Sequence, residues 1–164
     1  MISRANYEAQ TRGVTLAIEA ILSMKYLLDT NILSEPVRVA PNESVLASLK
    51  RNQDRIVTAT LVIHELFFGC YRLSSSRKKT IIETYIHDVV LQNIPLLSYC
   101  DKAAHYHAKE RARLQSIGKT PSFVDGQIAA IAAVNDAVLV TRNVSDFNEF
   151  SGISVENWFS NSNV

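Results

Sequence analysis

Two cysteines, five glycines and four prolines among 164 residues are too few for a disulfide-knotted, collagen-like or Pro/Gly-rich disordered chain. Cys70 and Cys100 form no C-x-x-C pair and have no His at metal spacing, so reduced thiols in a cytosolic, cytoplasmic protein are expected. No sign of charge dominates: 17 Lys and Arg stand against 16 Asp and Glu, a formal charge of +1. Nucleic acid, if bound, must then be met by local patches rather than by an overall basic field. Long hydrophobic runs are missing too. Val14 to Leu22 comes nearest, with Arg4 and Arg12 before it, but Glu19 interrupts it, it is too short to span a bilayer, and no small-x-small cleavage pattern follows. No membrane segment is expected. What is present is 47% hydrophobic sequence, enough to bury one continuous core.

The pattern along the chain is short apolar runs alternating with helix-like stretches. Lys25 to Leu28 is apolar and ends at Asp29-Thr30-Asn31, a strand delivering a polar turn. A helix is expected from Asn42 to Arg51, a second strand from Arg55 to Thr60, and an apolar helix from Leu61 to Leu73 carrying Glu65. Ser74 to Lys79 reads as a polar linker before a helix starting near Thr80. Asn93 to Leu97 is a third strand, and Asp101 can cap a long helix that Gly118 stops. Thr120-Pro121-Ser122 opens a helix rich in small residues. Ala137 to Thr141 is a fourth strand, Val144 to Phe150 a short helix, and Ile153 to Glu156 a fifth strand. Strands separated by helices imply parallel pairing through right-handed crossovers, an α/β fold with helices on both faces. One domain over 24–160 is expected, with 1–23 as a helical or disordered appendage and 161–164 as a tail.

Ligands of such folds bind beyond the carboxyl ends of the strands, and Asp29 and Asn143 to Asp146 both follow strands directly. Each carboxylate also has an ordinary explanation. Asp29 or Asn31 can cap a helix, while Ser122-x-x-Asp125 and Asn143-x-x-Asp146 fit capping boxes. Glu65 is harder to dismiss, because Leu61, Val62, Leu66, Phe67 and Phe68 leave little solvated face and a buried charge needs a partner. Four carboxylates in one cleft would repel unless a hard divalent cation neutralised them. His64-Glu65 begins like a zinc-protease signature, yet Phe68 stands where the second His belongs. His105 and His107 read as surface or boundary residues. Phe67, Phe68 and Tyr71 read as core or as a stripe for a second copy.

Leu27-Leu28-Asp29-Thr30-Asn31, Thr60-Leu61-Val62-Ile63-His64-Glu65-Leu66, Val124-Asp125-Gly126-Gln127-Ile128-Ala129-Ala130 and Thr141-Arg142-Asn143-Val144-Ser145-Asp146-Phe147 together resemble the four motifs of PIN-domain toxins. The likeness is to the VapC type, its FitB-like branch especially, and runs from about Met24 to Trp158. It implies a three-layer α/β/α fold on a mainly five-stranded parallel sheet. It also implies a Mg²⁺- or Mn²⁺-dependent endoribonuclease acting as the toxin of a toxin–antitoxin pair. By position, Asp29, Glu65 and Asp125 match the principal acidic ligands and Asp146 the more variable fourth. Thr30, Asn31, Thr141 and Asn143 match the supporting polar residues. The implied partners are RNA, a VapB-like antitoxin, operator DNA through that antitoxin alone, and a second copy in a homodimer. Arg111, Arg113, Lys119 and Arg142 are candidates for phosphate contact, and Arg77-Lys78-Lys79 for a second patch. A competing expectation is an antitoxin-binding partner in a DNA-binding complex with little catalysis of its own. The same chemistry on DNA or flap structures is a third, since a fold does not name its substrate.

Overall fold

Short β-branched and aliphatic runs make the centre of the sheet, because strands buried on both faces need apolar side chains on both. The computed structural model describes residues 24–159, with Arg12, Val14, Thr15, Glu19 and Ser23 upstream. Apart from those five, the expected appendage lies outside the described residues, as does the tail. Strand β1 (Lys25–Leu28) is followed at once by the one-turn helix α1 (Thr30–Leu33). Helix α2 spans Glu43–Arg51, capped by the Asn42 side chain, which accepts from the Val45 amide at 3.1 Å. Strand β2 (Ile56–Ala59) runs directly into helix α3 (Thr60–Tyr71).

Helix α4 (Arg77–Thr84) continues through a π-helical turn at Tyr85–Val90 to Asn93, and β3 is Leu96–Leu97. Helices α5 (Asp101–Ser116) and α6 (Phe123–Val134) pack against each other, and β4 (Ala137–Val140) and β5 (Ser154–Glu156) complete the order. All pairings are parallel, in the spatial order β3-β2-β1-β4-β5. Every residue of β2 and β4 is buried, whereas the edge strands β3 and β5 are partly exposed. Chain order reverses between β1 and β4, and Asp29 and Thr141 leave the carboxyl ends of those two strands.

Three local expectations are corrected. Strand β3 is trimmed from Asn93–Leu97 because the preceding helix runs on to Asn93: the Ile94 backbone amide donates to the Val90 carbonyl at 2.9 Å, and the Asn93 side-chain Nδ2 donates to the Val89 carbonyl at 2.7 Å. The basic Arg77-Lys78-Lys79 cluster is the first turn of α4 rather than a linker, since the Ser76 hydroxyl accepts from the Lys79 amide and starts the helix there. Asp101 lies inside the first turn of α5 and Cys100 holds the cap position without a side-chain bond. Gly118 does follow the end of α5, with the left-handed φ of 75° that favours glycine. Phe147, Phe150 and Trp158 are core residues. Among the described residues no helix is long and apolar enough to cross a membrane.

Candidate metal centre

The site grows from the junctions where strands hand over to helices. Asp29 follows β1 and caps α1: its Oδ1 accepts from the Thr30 amide at 2.7 Å. The bland expectation of a cap is therefore correct, and it leaves the rest of the group available. Asp29 Oδ2 accepts from the Asn31 amide at 2.8 Å and the Thr141 hydroxyl at 2.7 Å, while Asn31 Nδ2 also reaches Thr141 Oγ1 at 3.1 Å. Asn31 in turn accepts from the Arg142 amide at 2.9 Å, and the Asn143 amide donates to Thr141 Oγ1 at 3.1 Å. The turns after β1 and β4 are thus locked together through side chains. A carboxylate offers about four lone-pair sites, and three donors use three of them, so Asp29 keeps one to give a cation.

Glu65 lies in α3 and accepts a hydrogen bond from the Thr30 hydroxyl, which ties this helix to the first turn of α1. Asp125 lies in the first turn of α6, where the Ser122 side chain caps the helix. Its pKa is raised above the ordinary aspartate value, first by burial and then by the negative charges of Asp146, Asp29 and Glu65, with a hydrogen bond from Ser122 opposing. Carboxylates from three other motifs therefore act on Asp125. No Lys or Arg forms an ion pair with any of them among the described residues. No three His, Cys, Asp or Glu side chains among those residues stand close enough as placed to ligate one ion. The carboxylates share a field without forming a closed coordination shell. The donor set is all oxygen and uncompensated, which suits a hard divalent ion of the Mg²⁺ or Mn²⁺ kind better than zinc or copper.

Behind Asp125 the backbone is held by close packing. A Cβ added at Gly126 would collide with the His107 ring, reaching its Cδ2 at 2.8 Å as well as Nε2. His107 is 4% exposed, shares a 3.1 Å hydrogen bond between its Nδ1 and the Tyr99 hydroxyl, and packs on Phe123 at 4.8 Å. Burial first, and then the charge of Arg111, push its pKa down. The expectation of a surface or boundary histidine is thus corrected for His107, while His105 is exposed. Gly126→Ala is expected to cost about 1–3 kcal/mol in urea unfolding, because neither the ring nor α6 can yield without disturbing Asp125.

The basic candidates separate. Arg113 grips Glu110 with Nε at 3.0 Å and Nη2 at 2.7 Å, and its Nη2 also donates to the Glu149 carbonyl at 2.6 Å. Lys119 Nζ stands 3.4 Å from Glu149. Arg113 is engaged within the fold, whereas the Lys119 pair lies on the surface. Arg111 forms no ion pair among the described residues and covers the Phe123 ring at 4.9 Å, while Arg142 covers Phe159 at 5.0 Å. Glu110 was not singled out in the sequence, although it is 5% exposed and also accepts from the Ser151 amide at 2.8 Å. Hydrogen bonding from Arg113 leads the causes that lower its pKa to about 2. A depressed carboxylate stabilises the folded chain above its unfolded pKa and loses that contribution as pH falls through the folded one. Glu110→Gln is therefore expected to flatten the loss of stability between about pH 4.5 and about pH 2, measured by thermal melts across that window.

Helix α3 is less enclosed than its composition suggests. Phe68 and Tyr71 are both 57% exposed, with Arg72 and Lys79 lying over their rings.

Comparison with known proteins gives one family. The PIN domain family matches residues 26–152. The chain is 30% identical over 124 residues to "Toxin FitB" of Neisseria gonorrhoeae, covering 74% of this chain and 89% of that protein. It is 28% identical over 136 residues to "Ribonuclease VapC2" of Haemophilus influenzae, covering 82% and 98%. The solved structure of DNA-bound VapBC from Salmonella typhimurium superposes with a TM-score of 0.72 at 25% identity, covering 82% of this chain and 98% of that one.

Proposed function

The chain belongs to the PIN-domain family, and from that premise we propose that it is a divalent-metal-dependent endoribonuclease acting as the toxin of a toxin–antitoxin pair. The observation that carries this is the hydrogen-bonded junction of Asp29 with Thr141 and of Thr30 with Glu65 beyond the carboxyl ends of β1 and β4, with no Lys or Arg paired to those carboxylates among the described residues. Relatives named as a ribonuclease and a toxin supply the reaction class and the biological setting.

Asp29, Glu65 and Asp125 would hold the ion, with Asp146 as a further ligand or as the acceptor that orients water. Bound Mg²⁺ or Mn²⁺ supplies a Lewis acid for the phosphodiester and for the water that attacks it. The chain's own residues do the positioning. Thr30 aims Glu65, while Asn31 and Thr141 fix one oxygen of Asp29. Asn143, whose backbone amide donates to the Thr141 hydroxyl, would hold water or substrate with its side chain. Arg142 and Arg111 are the cations left for phosphate, and Arg113 and Lys119 contribute by holding the segment around Glu149.

The partners that follow are an RNA substrate, a VapB-like antitoxin that blocks the site, and a second copy of the chain, all in the cytoplasm. Operator DNA enters through the antitoxin, in keeping with the DNA-bound VapBC assembly that this chain resembles. Incubating the full chain with total RNA, in Mn²⁺ or in EDTA, and mapping the 5′ ends is the test. Discrete ends in Mn²⁺ alone are expected. No cleavage under either condition, with antitoxin and DNA binding intact, would favour a purely regulatory binding partner.

A further inference from the structure

Along α5, bordered by Tyr99 and by Phe123 at the start of α6, runs an open groove of about 340 Å³, within the range of small-ligand sites. Its wall is flat because Ala104, Ala108 and Ala112 recur at four-residue spacing along α5. Phe123 borders it and is 51% exposed, although it is a large apolar residue at the start of a helix. The Arg111 guanidinium lies 4.9 Å from the centre of that ring, and Gln115 adds an amide further along the groove. Arg111 forms no ion pair among the described residues, so apart from its place over the Phe123 ring its charge is not taken up as that of Arg113 is.

We propose that this groove is a nucleobase subsite, in which Phe123 stacks an unpaired base of single-stranded RNA and Arg111 meets the phosphate attached to it. The proposal rests on the nuclease assignment above and extends it to how substrate is seated. A flat apolar wall, an exposed aromatic ring and an unpaired cation match the two halves of a nucleotide, a π-face and an anion. Phe123 and Asp125 both lie in the first turn of α6, about 3 Å apart along the axis but on different faces, so a strand reaching from the groove to the carboxylates would round the N-terminal end of that helix. The His107 ring, packed on Phe123 and against Gly126, ties the subsite and the acidic cluster to the same turn of α6.

The test is fluorescence anisotropy with a fluorescein-labelled, mixed-sequence, single-stranded 12-nucleotide RNA in EDTA, where metal-dependent cleavage is absent. The abasic ribose-phosphate strand of the same length is run beside it. Removing one base–aromatic stack is expected to weaken binding about tenfold in Phe123→Ala, with Phe123→Tyr close to wild type. Wild type should prefer the base-bearing strand, and Phe123→Ala should lose that preference while keeping the wild-type melting temperature. Arg111→Gln should weaken both strands and flatten the salt dependence. Unchanged RNA binding in Phe123→Ala would overturn the subsite, and so would equal binding of the two strands by wild type. The first of these outcomes would leave the groove to a side chain of a protein partner. Cleavage of total RNA in Mn²⁺, measured on the same preparations, judges the nuclease assignment separately.

Discussion

Asp125→Asn is expected to lower metal-dependent RNA cleavage by at least about a thousandfold while melting no lower than wild type in EDTA. Both halves come from one cause. Asp125 is held in a partly desolvated position within the field of three other carboxylates, which raises its pKa and makes its charge a liability to the metal-free fold. Replacing it with an isosteric amide removes the repulsion and the ligand together. Asp29→Asn is the more obvious variant but a less clean one. Asp29 Oδ2 accepts from both Asn31 and Thr141, so an amide nitrogen there would face the Asn31 donor and cost about 1–3 kcal/mol on its own. A loss of activity in Asp29→Asn therefore mixes chemistry with folding. Cleavage by Asp125→Asn within tenfold of wild type would remove this residue from the centre.

Adding Mg²⁺ or Mn²⁺ to wild type is expected to raise its melting temperature by about 5–10 °C at an ion concentration near one hundred times the dissociation constant. Binding to the native state alone contributes about 2.7 kcal/mol at that ratio. For a chain of this length, each kcal/mol moves the midpoint by about 2–4 °C. The effect should vanish in Asp125→Asn and shrink in Thr30→Val, which leaves Glu65 without its hydroxyl partner. Equal stabilisation of wild type and Asp125→Asn would mean that the ion binds elsewhere.

Much of the architecture was legible because strands β1, β2 and β4 carry β-branched or aliphatic runs bounded by polar turns. The alternation of strand and helix then allowed little besides a parallel sheet. The acidic positions could be picked out for a related reason: Glu65 and Asp125 sit in helices otherwise short of polar residues, where a carboxylate without a task is costly. Their supporting bonds were not legible in the same way. Thr141 donates to Asp29 across 112 residues of sequence, and Thr30 to Glu65 across 35. No local pattern records which hydroxyl will meet which oxygen.

Helix α5 shows the opposite failure. Its buried face is Ala103, His107, Glu110 and Leu114, a regular helical stripe disguised by two polar residues. Read by residue type alone, His107 belonged to the surface and Glu110 attracted no notice. Read by spacing, both fall between Ala103 and Leu114 on the inner face, and Gly126 signals that something bulky must approach it. Arg113 is a candidate for phosphate by its charge and place on the basic helix, but the same stripe puts it one turn from Glu110, where it is taken up by the fold.

The most direct measurement is anomalous diffraction from crystals of the full chain grown in Mn²⁺. A peak among the carboxylates of Asp29, Glu65, Asp125 and Asp146, absent from crystals of Asp125→Asn, is the expected result. Manganese bound only elsewhere on the molecule, with these four side chains apart and solvated, would contradict the metal centre and the nuclease assignment built on it.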